Sequence, residues 1–160
     1  MSLRHVLLVA AVLAVAGPGL AHAAPRGLAK AIVASKSVSI DYGRPSLAGR
    51  DMLGRATPGE AWRMGADAPT KLISEADLSF GGVAVPKGTY ILKATPDGKG
   101  GWTLNVLKED DTKVADVALV VGKTKESIET FTIDVRGQKD KGEIELLWGD
   151  TSLKAAFTGK

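Results

Sequence analysis

Apolar and polar residues alternate in short runs along most of the chain, and turns bearing glycine or proline separate the runs. Val38, Ile40 and Tyr42 alternate with Ser37, Ser39 and Asp41. This period of two predicts a strand with one buried face. Leu78 and Phe80 repeat the pattern, and Gly81-Gly82 leads from them into Val83 and Val85. Pro86-Lys87-Gly88 reads as a turn, proline presetting φ and glycine accepting a positive one. Residues 89–95 and 102–107 flank Pro96-Asp97-Gly98-Lys99-Gly100-Gly101, and an Asp-Gly pair between two β-rich runs predicts a hairpin. Residues 114–121 read as a buried strand closed by Gly122. A helix competes for this stretch of Val, Ala and Leu, and the β-branched content favours the strand. Residues 127–136 alternate again, with Phe131 marking a register change or a bulge. Residues 143–148 and 152–158 form a last pair around Gly149-Asp150. About eight or nine strands with turns roughly every 8–12 residues predict an all-β fold, an antiparallel β-sandwich or barrel-like sandwich. The single β domain is placed at 37–160. Residues 24–36 form an N-terminal extension, of which 24–34 reads either as an unstructured start or as a loose strand.

One apolar run departs from this pattern. Arg4 and His5 precede an unbroken stretch from Val6 to Ala16, followed by Gly17-Pro18-Gly19 and then Ala21-His22-Ala23. That order is the signature of a cleavable secretory signal peptide at 1–23, because the run is too short to cross a bilayer, which takes about 20 apolar residues. No cysteine follows for lipid attachment, and no twin-arginine pair precedes the run. The expectation is an exported protein, periplasmic or secreted, with no membrane span after signal cleavage.

Cleavage changes the available chemistry. Both histidines, His5 and His22, lie in the leader, and the chain has no cysteine. The processed chain therefore lacks Ser-His-Asp and Cys-His nucleophilic systems, thiol redox chemistry, disulfides and the usual Cys/His zinc sites. With Arg4 gone, 20 basic side chains face 18 acidic ones, a net charge of +2. The basic residues form no run, so no nucleic-acid partner is expected. There is no phosphate loop and no dinucleotide fingerprint, hence no cofactor, and the acidic turns near Asp97 and Asp110-Asp111 lack the spacing of a calcium loop, hence no metal.

Residues 46–69 carry no period of two. A structureless stretch this long inside a compact domain is usually functional. It reads Ser46-Leu47-Ala48-Gly49-Arg50-Asp51 and continues through Trp62-Arg63 to Asp67-Ala68-Pro69. Arg44, Arg50, Arg55 and Arg63 lie in or beside it, four of the six arginines outside the leader. Guanidinium forks bind carboxylates, phosphates and sulfates through paired hydrogen bonds, so these arginines are candidates for an anion pocket. Asp41, Asp51, Glu60 and Asp67 share the region and offer the other reading, internal ion pairs that fasten the loop. Trp62 either stacks on a sugar ring or seals the core.

The motifs Tyr42-x-Arg44-Pro45, Gly49-Arg50, Leu53-Gly54, Trp62-Arg63-x-Gly65-Ala66 and Thr70 come first, followed by Pro86-x-Gly88-Thr89-Tyr90 and Trp102-Thr103. In this order they resemble the DUF2911 family of exported bacterial proteins of unknown function, over about residues 37–157. Where members of that family commonly read Gly-Ala-Asn-Glu-Ala-Thr, this chain has Gly65-Ala66-Asp67-Ala68-Pro69-Thr70, so Ala68 takes the place of the glutamate. The resemblance implies export and a β fold.

These readings converge on a binding module rather than an enzyme. The candidate ligand-binding residues are Tyr42, Arg44, Arg50, Trp62, Arg63, Asp67 and Thr70, with no catalytic residue assigned. The expected partner is a small anionic ligand or an envelope glycan or peptide. The alternatives are a carboxylate-dependent glycan hydrolase using two of Asp41, Asp51, Glu60 and Asp67, whose carboxylates would sit about 5–9 Å apart, and a structural envelope protein.

Overall fold

A computed structural model describes residues 23–160. The leader read at 1–23 lies outside the described residues, apart from Ala23. Among the described residues there are no helices and nine strands: β1 (Arg26–Val33), β2 (Lys36–Gly43), β3 (Lys71–Ser74), β4 (Leu78–Phe80), β5 (Val83–Val85), β6 (Gly88–Pro96), β7 (Trp102–Leu107), β8 (Lys113–Gln138) and β9 (Lys141–Gly159). They form one antiparallel sheet in the order β1-β2-β3-β6-β7-β8-β9-β4-β5. The fold is all-β, as the alternation predicts. The sheet folds over on itself so that both halves share one core, without closing into a barrel.

β8 makes the fold-over. Its first part, through Leu119, pairs with β7, and from Val120 onward it pairs with β9. Register shifts lie between Lys123 and Ile128 and between Ile128 and Thr132, so the bulge expected near Phe131 is present. Each bulge adds twist, which lets one strand serve both halves. The stretch 114–121 is indeed a strand, but it is not buried throughout. Ala115 and Leu119 are buried, whereas Val120 is 69% exposed, because the strand leaves one half of the sheet there.

Nine strands are present, yet they are not the nine that the alternation marks out. The stretches 114–121 and 127–136 merge into β8, and 143–148 and 152–158 merge into β9. β3 has only four residues and carries little periodic signal. β1 comes from the 24–36 extension, so a strand forms there rather than an unstructured start, and it pairs with β2 from Arg26↔Gly43 to Val33↔Lys36.

The inward-facing rows match the alternation. Val38, Ile40 and Tyr42 of β2, Tyr90, Leu92 and Ala94 of β6, and Phe131, Ile133 and Val135 of β8 are all buried. A fully buried side chain of this size stabilises by about 1.5–3 kcal/mol relative to exposure. The opposite row of β6, with Ile91 and Lys93, faces outward on the first half of the sheet and forms the ground of the site described next.

Candidate functional site

The irregular segment begins by running alongside β8. The Phe131 amide donates to the Pro45 carbonyl at 2.9 Å, Ser46 bridges Thr130, and the Leu47 amide donates to the Glu129 carbonyl at 2.9 Å. Two motif side chains brace this crossing. The Tyr42 hydroxyl donates to the Ile133 carbonyl at 3.2 Å, and its ring meets Phe131 edge-on at 5.6 Å. Arg44 donates from Nε to the Phe131 carbonyl at 3.4 Å and from Nη2 to Thr132 Oγ1 at 3.3 Å.

The segment then returns to the sheet. The Trp62 amide donates to the Ala94 carbonyl at 2.7 Å and the Trp62 carbonyl accepts from the Ala94 amide at 2.8 Å, so Trp62 extends the edge of β6 beyond the place where β3 leaves it. Its indole stacks on Trp148 at 5.7 Å and meets Phe131 and Trp102 edge-on at 5.1 and 6.2 Å. All three tryptophans of the chain meet here, and Trp62 closes the core. Thr70, fully buried, donates from Oγ1 to the Met64 carbonyl at 2.6 Å and fixes the turn between them.

Because side chains alternate along a strand, turning Trp62 inward turns Arg63 outward, onto the face that carries Lys71 and Lys93. These three cations line a cleft of about 580 Å³ together with Thr70, Ile91, Glu109 and Asp111. Lys71 opposes Ile91 in the β3–β6 ladder, which puts it diagonal to Lys93, about 7–8 Å away across the strands. Lys71 pairs with Glu109 at 3.3 Å and Lys93 with Asp111 at 2.8 Å; both carboxylates are about seven-tenths exposed. Arg63 forms no ion pair among the described residues. Its Nη2 donates to the Asp67 carbonyl.

Of the seven sequence-predicted candidates, Arg63 and Thr70 line this cleft. Tyr42, Arg44 and Trp62 are structural braces in this arrangement. Arg50 lies in a separate polar hollow with Asp51, Lys123 and Glu129, its Nε donating to the Leu47 carbonyl at 3.1 Å. Asp67 accepts from the Ala24 nitrogen at 2.7 Å. Arg44, Arg50 and Arg63 thus converge neither on one cavity nor on neighbouring carboxylates; each donates to a main-chain carbonyl. The four carboxylates are also dispersed. Asp41 pairs with Arg26 at 2.9 Å, Asp51 accepts from the Gly54 amide at 2.9 Å, and none of the four lines the Arg63 cleft. No group of three carboxylates among the described residues approaches closely enough to hold a metal ion.

The braces fall on the motif positions Tyr42, Arg44, Trp62 and Thr70, with Tyr90, whose hydroxyl donates to the Pro86 carbonyl at 2.7 Å, holding the next turn. The DUF2911 family model, described as a protein of unknown function, matches residues 24–157. The chain belongs to the DUF2911 family. No curated protein and no solved structure matches it. In this DUF2911 chain most of the motif side chains contact the chain itself, and the cleft takes the rest of its charge from residues outside the motifs. No sequence motif marks Lys71, Lys93 or Glu109, and Asp111 stands out in the sequence only as part of an acidic turn. Lys93 occupies an outward position of a legible strand, but only the β3–β6 register brings it beside Lys71 and below the 108–112 turn.

Proposed function

We propose that this DUF2911 protein is an exported binding module that takes a small anionic molecule, or an anionic stretch of envelope glycan or peptide, in the cleft beside Arg63. The supporting observation is that Arg63, free of any ion pair among the described residues, shares the cleft with Lys71 and Lys93. The cleft volume falls within the 300–1,000 Å³ typical of small-molecule sites. The Lys71–Glu109 and Lys93–Asp111 pairs are exposed and worth about 0–1 kcal/mol each, so a ligand carboxylate competes for both lysines at little cost. Export follows from the leader pattern at 1–23. The structural-protein reading has one observation in its favour, the internal bonding of Arg44 and Arg50. The hydrolase reading has less, since Asp41, Asp51 and Asp67 each hold a donor of the chain itself.

Calorimetric titration with citrate and with an oligogalacturonate tests the binding role. Arg63→Ala is expected to weaken binding about tenfold, the loss of one charged hydrogen-bonding partner, with the melting temperature unchanged. Equal affinity of wild type and Arg63→Ala, or no binding of either probe, rejects the site.

A further inference from the structure

We propose that hydrolysis of the Ala23–Ala24 bond creates an ammonium group for which Asp67 is the built-in acceptor, so that removal of the leader locks the turn that carries Arg63. The proposal rests on the export reading above. A signal-cleaving protease adds one water across the bond, leaving a carboxylate on Ala23 and an amine on Ala24. An α-amino group titrates near 7.7–8.0, so most of it is protonated at neutral pH.

The acceptor is already in place. The Ala24 nitrogen lies 2.7 Å from Asp67 Oδ2, and in the unprocessed chain that nitrogen is a neutral amide. Cleavage turns the same contact into an ion pair without moving a heavy atom. Ala23 is exposed, so the bond is reachable, and Ala24 is partly covered. The position of Ala24 is set by the sheet, because the Arg44 amide donates to the Pro25 carbonyl at 2.7 Å and β1 starts at the next residue. The small residues Ala21 and Ala23 stand where a signal-cleaving protease reads them.

The receiving turn has no other carboxylate and is held at several points. Asp67 sits in the left-handed region at φ 61°, Arg63 donates to its carbonyl, and Arg26 Nη1 donates to the Ala68 carbonyl at 3.2 Å. An ammonium on Asp67 adds an ion pair between this turn and the residue just before β1, beside the Arg26 guanidinium that already reaches the Ala68 carbonyl. Arg63, one end of the candidate cleft, is thereby held more firmly in the processed protein than in the unprocessed one.

The test compares amide hydrogen exchange over residues 63–70 in a chain beginning at Ala24 and in one beginning at His22, each with and without Asp67→Asn. Asp67 is exposed and asparagine also tolerates the left-handed region, so the variant keeps its fold. Exchange is expected to be about two- to fivefold slower in the chain beginning at Ala24, the size of an exposed ion pair, and the difference is expected to vanish in Asp67→Asn. Equal exchange in the two chains, or a difference that survives Asp67→Asn, overturns the lock. Intact mass of the protein recovered after expression with its leader separates the two readings. A start at Ala24 with equal exchange leaves export standing and rejects the lock. A chain that retains residues 1–23 rejects both.

Discussion

At Gly43 the end of β2 crosses the Gly65-Ala66 segment so closely that a Cβ on Gly43 would lie 2.1 Å from the Ala66 carbonyl oxygen and 2.8 Å from its nitrogen. Both obstacles are main chain, so no side chain can rotate out of the way. Gly65 answers from the other side, with φ at +148° and its own Cβ position 2.9 Å from the Gly43 carbonyl. The crossing brings Trp62 and Thr70 back to the sheet, and it needs glycine on both segments. Gly43→Ala is expected to destabilise the fold by about 1–3 kcal/mol or more, the cost of forced overpacking, read as a lower urea midpoint at unchanged slope. An unchanged midpoint would mean that the two segments separate without loss. The Tyr42-x-Arg44 pattern leaves this position open, because the need for glycine comes from residues more than twenty places along the chain.

At the scale of elements, the β8–β9 pair shows what alternation can and cannot place. Thr132 and Asp134 face away from Ile133 and Val135, as the pattern predicts, and pairing sets Asp134 opposite Glu145 and Arg136 opposite Glu143. Arg136 then reaches Asp134 at 2.8 Å, Glu143 at 3.2 Å and Glu145 at 2.7 Å, while Ser152 and Lys154 approach Glu145 at 2.8 and 3.3 Å. Burial is the largest single influence on the Glu145 carboxyl and raises its pKa. The bonds from Ser152, Arg136 and Lys154 together outweigh it and hold the group below the usual glutamate range. Since the unfolded group titrates near 4.3, this contribution to stability is complete above about that pH and is lost as the pH falls through the lower folded value. Asp116, held low by Lys113 and Asn105, acts in the same direction. Glu145→Gln is therefore expected to lose less stability than wild type when chemical unfolding is followed from pH 6 down to pH 3. Parallel losses in the two proteins would show that Glu145 is not among the groups responsible. The charges of this network are visible in the sequence, whereas their meeting depends on the bend in β9 at Gly149, where φ is +57°.

For the whole molecule, the segment 46–69 acts as part of the core rather than as an appendage. Leu47, Met52, Leu53, Ala56 and Trp62 pack on the buried cluster, and Met64 belongs to it outright. Removing the central indole by Trp62→Ala is expected to cost about 2–4 kcal/mol, less than a fully enclosed tryptophan because Trp62 keeps some exposure. In wild type, tryptophan fluorescence and far-ultraviolet circular dichroism should report one coincident unfolding transition. A fluorescence change that precedes the loss of strand signal would instead make the segment a separate, weaker unit.

The sequence by itself determined the all-β class, the inward rows of β2, β4 and the second part of β8, the hairpin at Asp97-Gly98 and the existence of one long irregular segment. These features are set by a period of two and by turn chemistry, which act between neighbours along the chain. Only the tertiary structure decided that four short runs merge into two long strands, that Tyr42 and Arg44 brace β8, and that Lys71, Lys93, Glu109 and Asp111 share a cleft with Arg63. The reason is that such meetings depend on the register between strands distant in sequence. Alternation gives the face of a residue, and pairing alone gives its neighbours.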